Sequence, residues 1–292
     1  MGQLLQFVIT GIAVGSVYGL LALGFVIILN VTGVANFMQG TFVVLGGLIM
    51  VSLQQAHLPL LPALVVDAAI VAAVGLFVCA IVVLPFKDAH LQQLIVTLGL
   101  SIGFEGIALY VWSFNPLSYA PFSGSKALYF LGAAIYPQAL WSIGAAILLV
   151  AVAYWFIEYT FVGTAVRACA MSRRAAQLIG IQVPLMAFIA FALSGAIGAL
   201  LGAVITPLTA MTFNDGLNYM LNAFMAAVFG STENPMAAVG GGVVLGIISV
   251  LTQGYVGQGW NYVAVLVLLL IVLIVRPRGL FANVFRARVA AA

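Results

Sequence analysis

Long apolar runs return along the whole chain, and this feature limits the possible folds more than any other. An α-helix needs about 20 consecutive apolar residues to cross the hydrocarbon core of a bilayer, and several runs reach that length. Only 5% of the 292 residues are charged, against about a quarter in a typical soluble protein. So few charges cannot cover a surface that faces water. The sequence therefore predicts an all-α fold, a polytopic bundle of membrane helices.

The apolar runs predict eight membrane-spanning helices and one additional short apolar segment, residues 217–230. The connections between them are too short to bury a core of their own, so residues 1–292 are predicted to form a single transmembrane domain. Glycine and other small residues recur every four positions in several runs, which predicts close helix packing inside this bundle. In chain order, the eight predicted helices are residues 4–29, 37–53, 60–84, 91–112, 138–159, 185–207, 235–251 and 260–275.

Basic residues indicate how the chain is oriented, because cytoplasmic loops carry an excess of lysine and arginine. Arg167, Arg173 and Arg174 follow the fifth predicted helix, and further arginines lie in the C-terminal tail, so both stretches are predicted to be cytoplasmic. Three predicted helices separate them, whereas a chain that returns to its starting side crosses an even number of times. Residues 217–230 are therefore expected to cross as well, or to complete a crossing as a broken helix, which places the N-terminus outside. A tight surface turn between two tilted helices is the other interpretation.

The sequence lacks the residue patterns of an enzyme. It has no glycine-rich phosphate loop followed by lysine, no HExxH and no GxSxG, and its two cysteines have no metal-binding spacing. No catalytic residue, metal ligand or cofactor is therefore predicted. The basic residues lie beside apolar runs, so they report orientation and give no reason to expect nucleic acid as a partner.

Acidic residues are few, and Glu105 is expected to be the one that lies well inside a predicted span. It is interpreted either as a functional group or as a structural partner that is hydrogen-bonded inside the bundle. Ion-coupled carriers usually contain buried carboxylates or proton relays. The energy for any active transport is therefore expected to come from another subunit.

A basic stretch, residues 163–181, lies between two predicted spans and is called the basic loop below. From Thr164 to Ile179 it consists of good helix formers without proline, and Gly180 occupies the position of a C-terminal stop. The pattern predicts one short amphipathic helix on the cytoplasmic side. Such a helix either docks onto another protein or lies at the lipid interface with its arginines facing phosphates.

The basic loop resembles the cytoplasmic coupling loop of permeases of the branched-chain amino-acid ABC importers, the LivH/LivM family. Further stretches that resemble the LivH type lie at residues 11–24 with 33–40, at 94–101 and at 276–281. The resemblance therefore covers essentially the whole chain, with its motifs in the right order. In the basic loop, the residues at matching positions are Gly163, Arg167, Ala168, Ala176, Leu178, Gly180 and Ile181.

The chain departs from the pattern of this family at four places. Met38 and Gln39 stand where the family usually has Ala-His, and the basic loop lacks the acidic residue that is usual near its middle. Asn222 stands where a lysine is common, and residues 231–234 replace a glycine-rich turn. The differences at Gln39 and Asn222 leave the identity of the substrate open.

The resemblance implies a permease subunit of an ATP-binding-cassette importer in the inner membrane of a bacterium. It implies three kinds of partner besides membrane lipid: a second related permease, two cytoplasmic ATPase subunits that hydrolyse the ATP, and a periplasmic solute-binding protein. The ATPases would dock on the basic loop. Branched-chain amino acids, urea, short amides and aromatic acids are all substrates that relatives of this kind handle, and the sequence does not choose among them.

Polar residues at interrupted or small-residue positions of the predicted helices are candidates for the translocation path. A self-sufficient channel or secondary carrier is the alternative function, although such a protein has no need of a cytoplasmic docking helix. An intramembrane enzyme is disfavoured, because it needs pairs of polar ligands within the bilayer. The candidate path residues are Asn36, Gln39, Thr97, Ser101 and Asn222.

Overall fold

Eleven α-helices run through the part of the chain that the computed structural model describes, which is residues 2–83, 85–86, 89–124, 128–130, 133–276 and 279–281. A 3₁₀ turn, Gln258–Trp260, precedes the last helix, and a short antiparallel hairpin of β1 (Leu128–Phe130) and β2 (Ala133–Ile135) lies between α4 and α5. The helices are α1 (Gly2–Thr32), α2 (Met38–Gln55), α3 (Leu60–Val83), α4 (His90–Trp112), α5 (Pro137–Tyr159), α6 (Phe161–Met171), α7 (Arg173–Leu178), α8 (Val183–Thr209), α9 (Gly216–Gly230), α10 (Pro235–Tyr255) and α11 (Asn261–Val275).

Seven of the described helices are long and apolar enough to cross a membrane, namely α1 to α5, α8 and α10. The predicted all-α, polytopic helix bundle is confirmed, and each predicted span agrees with an observed helix to within about one turn. The last predicted span is α11, whose 15 residues rise about 22 Å and are shorter than a full crossing. The structure therefore has seven full-length helices, and α9 and α11 are shorter apolar helices.

Glycines bring the backbones of α1 and α10 into direct contact. A Cβ atom placed on Gly11 or Gly15 of α1 would lie 2.7 Å from the Cα atom of Ile247 or Val243 in α10. A Cβ atom on Gly19 would lie 2.8 Å from the carbonyl oxygen of the next turn of α10. The four-residue spacing thus forms a groove that admits another helix backbone. The predicted packing role of these glycines inside the bundle is confirmed.

Helix α8 is enclosed in the same way between α2 and α3. A Cβ atom on Gly198 would lie 2.8 Å from the Cβ atom of Phe42 in α2, and one on Gly195 would lie 2.7 Å from the carbonyl oxygen of Val71 in α3. As a result α1, α2 and α8 are buried along most of their length, whereas α4 and α5 expose most of theirs.

The chain leaves helical structure inside the bundle between α8 and α9. Met211 exchanges backbone hydrogen bonds with Leu117, and its side chain lies 2.9 Å from a Cβ atom placed on Gly47 of α2. Five residues later, the backbone of Gly216 packs directly on Gly40, two turns nearer the start of α2. The segment therefore runs back along α2, and α9 begins within the bundle. Irregular backbone of this kind is tolerated at membrane depth where protein covers it.

The basic loop and the described part of the C-terminal stretch lie at the same end of the bundle. Arg173 donates from Nε to the carbonyl oxygen of Val31, at the end of α1, over 2.8 Å. Nearby, Asn30 donates to the carbonyl oxygen of Glu233, which follows α9, and Leu280 donates its N–H to the last turn of α9. The chain therefore passes along the bundle an even number of times between the two stretches. Helix α9 completes one passage as a broken helix, as the sequence predicted.

A single methyl group at the α1–α10 contact tests this packing. Gly15→Ala is expected to lower the free energy of unfolding by about 1–3 kcal/mol, because the added carbon overlaps the α10 backbone. Gly103→Ala in α4 is the matched control, since a Cβ atom there meets no atom within 4 Å. The control should leave stability unchanged or raise it by about 1 kcal/mol. Thermal unfolding of the purified chain in detergent measures both, and equal midpoints for the two variants would contradict the packing.

Candidate functional site in the basic loop and the bundle interior

The basic loop forms two helices, and the prediction of one helix from Thr164 to Ile179 is wrong. Helix α6 ends at Met171, and Ser172 adopts an extended conformation. The Ser172 hydroxyl accepts a hydrogen bond from the N–H of Ala175 over 3.3 Å and so caps α7. Serine favours such a local bond over helix continuation, which explains the break.

Gly180 ends α7, as its position in the sequence predicts. Its φ angle is +88°, a left-handed conformation that favours glycine. The N–H groups of Gly180 and Ile181 donate to the carbonyl oxygens of Gln177 and Ala176 over 3.1 and 3.0 Å. These two bonds satisfy carbonyl groups that the end of the helix would otherwise leave unpaired.

Three of the predicted loop residues hold the loop against the bundle. Gly163 is buried and packs directly on the backbone of Phe156 near the end of α5, and Ala176 is buried as well. Arg167 forms an ion pair with Glu158 of α5, which fixes the start of the loop. The remaining predicted residues are partly buried, Ala168 and Ile181, or exposed, Leu178 and Gly180.

The outer side of the basic loop carries large apolar side chains. Met171, Leu178 and Ile179 are 87%, 88% and 74% exposed, and the neighbouring Arg174 is exposed too. Together these four residues are called the outer patch below. Apolar groups at such exposure favour a surface that another molecule covers.

Arg173 points inward, in contrast to Arg174. Besides its bond to Val31, its guanidinium lies 3.3 Å from a Cβ atom placed on Gly33, and His90 of α4 lies 3.4 Å from the same point. Sequence reasoning used Arg173 to orient the chain and, in one interpretation, expected the arginines of the loop to face lipid phosphates, so it missed this contact. Burial raises the pKa of the nearby Cys169 thiol, and Arg173 lowers it in part.

Four of the five candidate path residues are buried. Gln39 is fully enclosed, its Oε1 accepts a hydrogen bond from the hydroxyl of Ser194 in α8, and a Cβ atom on Gly24 of α1 would lie 2.6 Å from its Nε2. That Nε2 atom has no hydrogen-bond partner among the described residues. Gln39 therefore lies at the junction of α1, α2 and α8, separate from the other candidates.

Asn36 and Thr97 are brought together at the start of α2. Asn36 accepts a bond from the N–H of Met38 over 3.1 Å, and Thr97 accepts one from the N–H of Phe37 over 3.4 Å. With Gln93, they border a gap between the α1–α2 connection, α3, α4 and α8 that is too narrow to hold a water molecule. This part of the interior is closed.

Ser101 lies one turn further along α4. Its hydroxyl is 2.7 Å from that of Thr41 in α2, and Glu105 follows on the same face of α4. A point at the Cβ position of Gly216, where α9 begins, lies 3.0 Å from Glu105 Oε1 and 3.2 Å from Thr41 Oγ1. Polar groups of α2 and α4 therefore converge on the N-terminal end of α9.

Asn222 lies apart from these groups, on the outer side of α9. It is partly exposed and donates to the carbonyl oxygen of Asn218, one turn earlier, over 2.9 Å. Asn218 is itself exposed. The structure therefore groups Asn36 with Thr97 and Ser101 with Glu105, and it leaves Asn222 on an open face.

Asp67 is a second acidic residue inside a span, and the expectation that Glu105 is the one such acid is wrong. Asp67 lies in α3, is completely buried, and neither carboxylate oxygen has a hydrogen-bond partner among the described residues. Its position inside the predicted span 60–84 was a signal in the sequence that could have identified it. Within the described residues, no group of three or more His, Cys, Asp or Glu could hold a metal ion.

Comparison with known proteins identifies the family. Residues 7–275 match the family model described as the branched-chain amino acid transport system / permease component. The chain belongs to this family. The permease is 27% identical to the high-affinity branched-chain amino acid transport system permease protein LivH of Escherichia coli K12, over 96% of both chains.

Two other relatives extend this comparison. BraD of Pseudomonas aeruginosa, named a high-affinity branched-chain amino acid transport system permease protein, is 27% identical to the permease over 96% of each chain. The ribose import permease protein RbsC of Escherichia coli K12 is 24% identical over 86% of the permease and 76% of its own length. Family membership and near-complete coverage confirm the resemblance on which the sequence analysis relied.

The Gln39–Ser194 contact predicts a double-mutant cycle. Ser194→Ala leaves the buried amide oxygen of Gln39 unpaired, so the free energy of unfolding should fall by about 1–3 kcal/mol. Adding Gln39→Leu removes the unpaired amide as well and should restore much of the loss. Thermal unfolding in detergent measures each variant. Purely additive losses in the double variant would contradict a direct interaction.

Proposed function

We propose that this permease is the LivH-type subunit of an ATP-driven importer that moves branched-chain amino acids, or a related small polar molecule, across the inner membrane of a bacterium. It would act with a second related permease, two cytoplasmic ATPase subunits that hydrolyse the ATP, and a periplasmic solute-binding protein. The observation that carries the proposal is the outer patch, which lies in the loop that matches the family's coupling loop. The substrate class follows the names of the LivH and BraD relatives.

The geometry of the basic loop supports docking onto a protein. Val166, Cys169 and Ala176 face the bundle and are buried, while the outer patch projects to the other side. Helix α7 has only six residues, so the outer patch is a small group of apolar side chains around one arginine and not the extended apolar face of a helix that lies in the lipid interface. A partner that combines an apolar pocket with acidic groups would complement Leu178 and Arg174 together.

In the proposed orientation, the basic loop and the C-terminus face the cytoplasm and the N-terminus faces outside. The basic loop and residues 279–281 lie at one end of the bundle, and basic residues accumulate in cytoplasmic loops. ATP binding would close the ATPases against the outer patch and shift the bundle between outward-open and inward-open states. Partners that bind the two states differently drive such a shift.

We further propose that the translocation path passes along the polar residues of α2, α4 and α9. Asn36, Thr97 and Ser101 would border it on one side, Asn222 would lie on its open side, and Gln39 would adjoin it through α2. The gap at Asn36 and Thr97 is closed in this structure, as expected for one end of an alternating-access path. The half-helix α9 supports this arrangement, because broken helices often line transport sites.

Co-purification tests the docking proposal. The C-terminally tagged permease is expected to bring down ATPase subunits from native membranes, and Leu178→Asp should abolish this, because a carboxylate would replace an apolar contact. Val256→Asp is the matched control, since Val256 is 61% exposed in the connection after α10 at the opposite end. If wild-type permease brings down no ATPase under gentle detergent conditions, a self-sufficient channel or carrier becomes the better interpretation.

Thiol labelling tests the path. In a background with Cys79→Ala and Cys169→Ala, cysteines at Asn218 and Asn222 should react with a membrane-impermeant thiol reagent. A cysteine at Leu266 in α11, which is 52% exposed, should not react, because that face is expected to contact lipid. A cysteine at Thr97 should react only when loaded binding protein and ATP are present. No labelling at Asn218, Asn222 or Thr97 under either condition would overturn the assignment.

A further inference from the structure

Three elements of the permease meet at Gly33, just after α1. The Arg173 guanidinium of α7 and the His90 imidazole at the start of α4 both lie within 3.4 Å of a Cβ position on this glycine. Gly33 has a φ angle of +69°, and its N–H donates to the carbonyl oxygen of Leu29 over 2.7 Å. It therefore ends α1 in a conformation that favours glycine, and a Cβ atom added there would lie in tight contact with the Arg173 and His90 side chains. The side chains of α7 and α4 therefore both approach the end of α1 at this glycine.

Arg173 packs against the end of α1 and also interacts with it electrostatically. Its Nε donates to the carbonyl oxygen of Val31, one of the last carbonyls of the helix, over 2.8 Å. A cation favours this position because the C-terminal end of a helix carries partial negative charge. The planar guanidinium can keep this bond while its other edge contacts Gly33. A lysine ammonium group is a single compact donor and cannot make both contacts.

From Gly33, a continuous set of contacts leads into the bundle. The chain runs directly into Asn36 and Phe37, and the N–H of Phe37 donates to the hydroxyl of Thr97 in α4. One turn further along, Ser101 contacts Thr41, and Glu105 reaches the start of α9. A displacement of Arg173 therefore acts on the α1–α2 connection and on the polar face of α4 together.

We propose that Arg173 is the positioning residue that transmits movement of the basic loop to the α1–α2 connection and α4. This inference rests on the proposed function and assigns the transmission to one side chain. Arg173 lies one residue after the break at Ser172, so a push on the outer patch turns α7 and pulls directly on the end of α1. Arg174 belongs to the outer patch and contacts the docking partner instead. The two neighbouring arginines thus have different tasks, docking and transmission.

The experiment uses the complete importer, reconstituted in liposomes with its ATPase subunits, second permease and binding protein. Arg173→Lys keeps the charge at the end of α1 and removes the planar fork, and Arg173→Ala removes both. In both variants the ATPases should still co-purify, and basal ATP hydrolysis should persist. Stimulation of hydrolysis by loaded binding protein, and the substrate moved per ATP, should fall by about tenfold for Arg173→Ala, within the usual range for a lost allosteric coupling. For Arg173→Lys, both quantities should lie between the values for Arg173→Ala and for the wild type.

Controls separate transmission from docking and from folding. Arg174→Ala removes the same charge from the outer patch, so it should weaken ATPase binding, and the complexes that still form should keep the ratio of substrate moved to ATP hydrolysed. Gly33→Ala introduces a side chain against Arg173 and should lower that ratio as Arg173→Ala does. Two results would overturn the inference. One is unchanged stimulation of ATP hydrolysis in Arg173→Ala, and the other is a ratio of substrate moved to ATP hydrolysed that falls as far in Arg174→Ala as in Arg173→Ala. Failure of the wild-type chain to bind ATPase subunits would instead overturn the proposed function, so the two failures are distinguishable.

Discussion

Direct contact between helix backbones, made possible by glycine, is the constraint on which the rest of this structure depends. Lipid tails are as apolar as leucine, so apolar burial gives membrane helices little reason to associate, and close packing must supply the attraction. The contacts of Gly15 with α10 and of Gly198 with α2 supply it at two seams. These seams place α1, α2, α8 and α10 in one rigid unit. The positions of α4, α9 and the basic loop follow from that unit.

The rigid unit determines which polar groups can be tolerated inside. Gln39 lies where α1, α2 and α8 leave space for one amide and one hydroxyl, and Ser194 supplies the hydroxyl. The acidic residues have no such arrangement, because the sequence contains no lysine or arginine within the described membrane-spanning helices. Asp67 is buried without a hydrogen-bond partner, whereas Glu105 reaches the positive end of α9. The carboxyl group of Glu105, unlike that of Asp67, thus meets favourable backbone geometry that another helix provides.

Local sequence patterns predicted most of the fold and only part of the site. The lengths of the apolar runs located the helices, and Gly180 located the end of α7. Both signals depend on residues that are neighbours in the sequence. The break at Ser172 was missed because a single hydroxyl outweighed a run of good helix formers. The inward turn of Arg173 could not be predicted, since its partner Val31 lies 142 positions away. The burial of Gln39 likewise depends on where α8 crosses α2, which no local pattern records.

The contacts between α1 and α10 and those between α2 and α4 differ in what a movement would cost. Sliding α1 along α10 would bring backbone atoms of the two helices into steric overlap, because the glycines leave no side chain between them. Helix α4 is attached to α2 and its start differently, through single hydrogen bonds at Thr97, Ser101 and Trp112, and it exposes most of its surface. Such bonds each contribute roughly 0.5–1.5 kcal/mol, so they can break and re-form within one transport cycle. Under the proposed function, the polar face of α4 would be the boundary between the rigid unit and the part that moves, and Arg173 contacts the chain at Val31, close to where that boundary would begin.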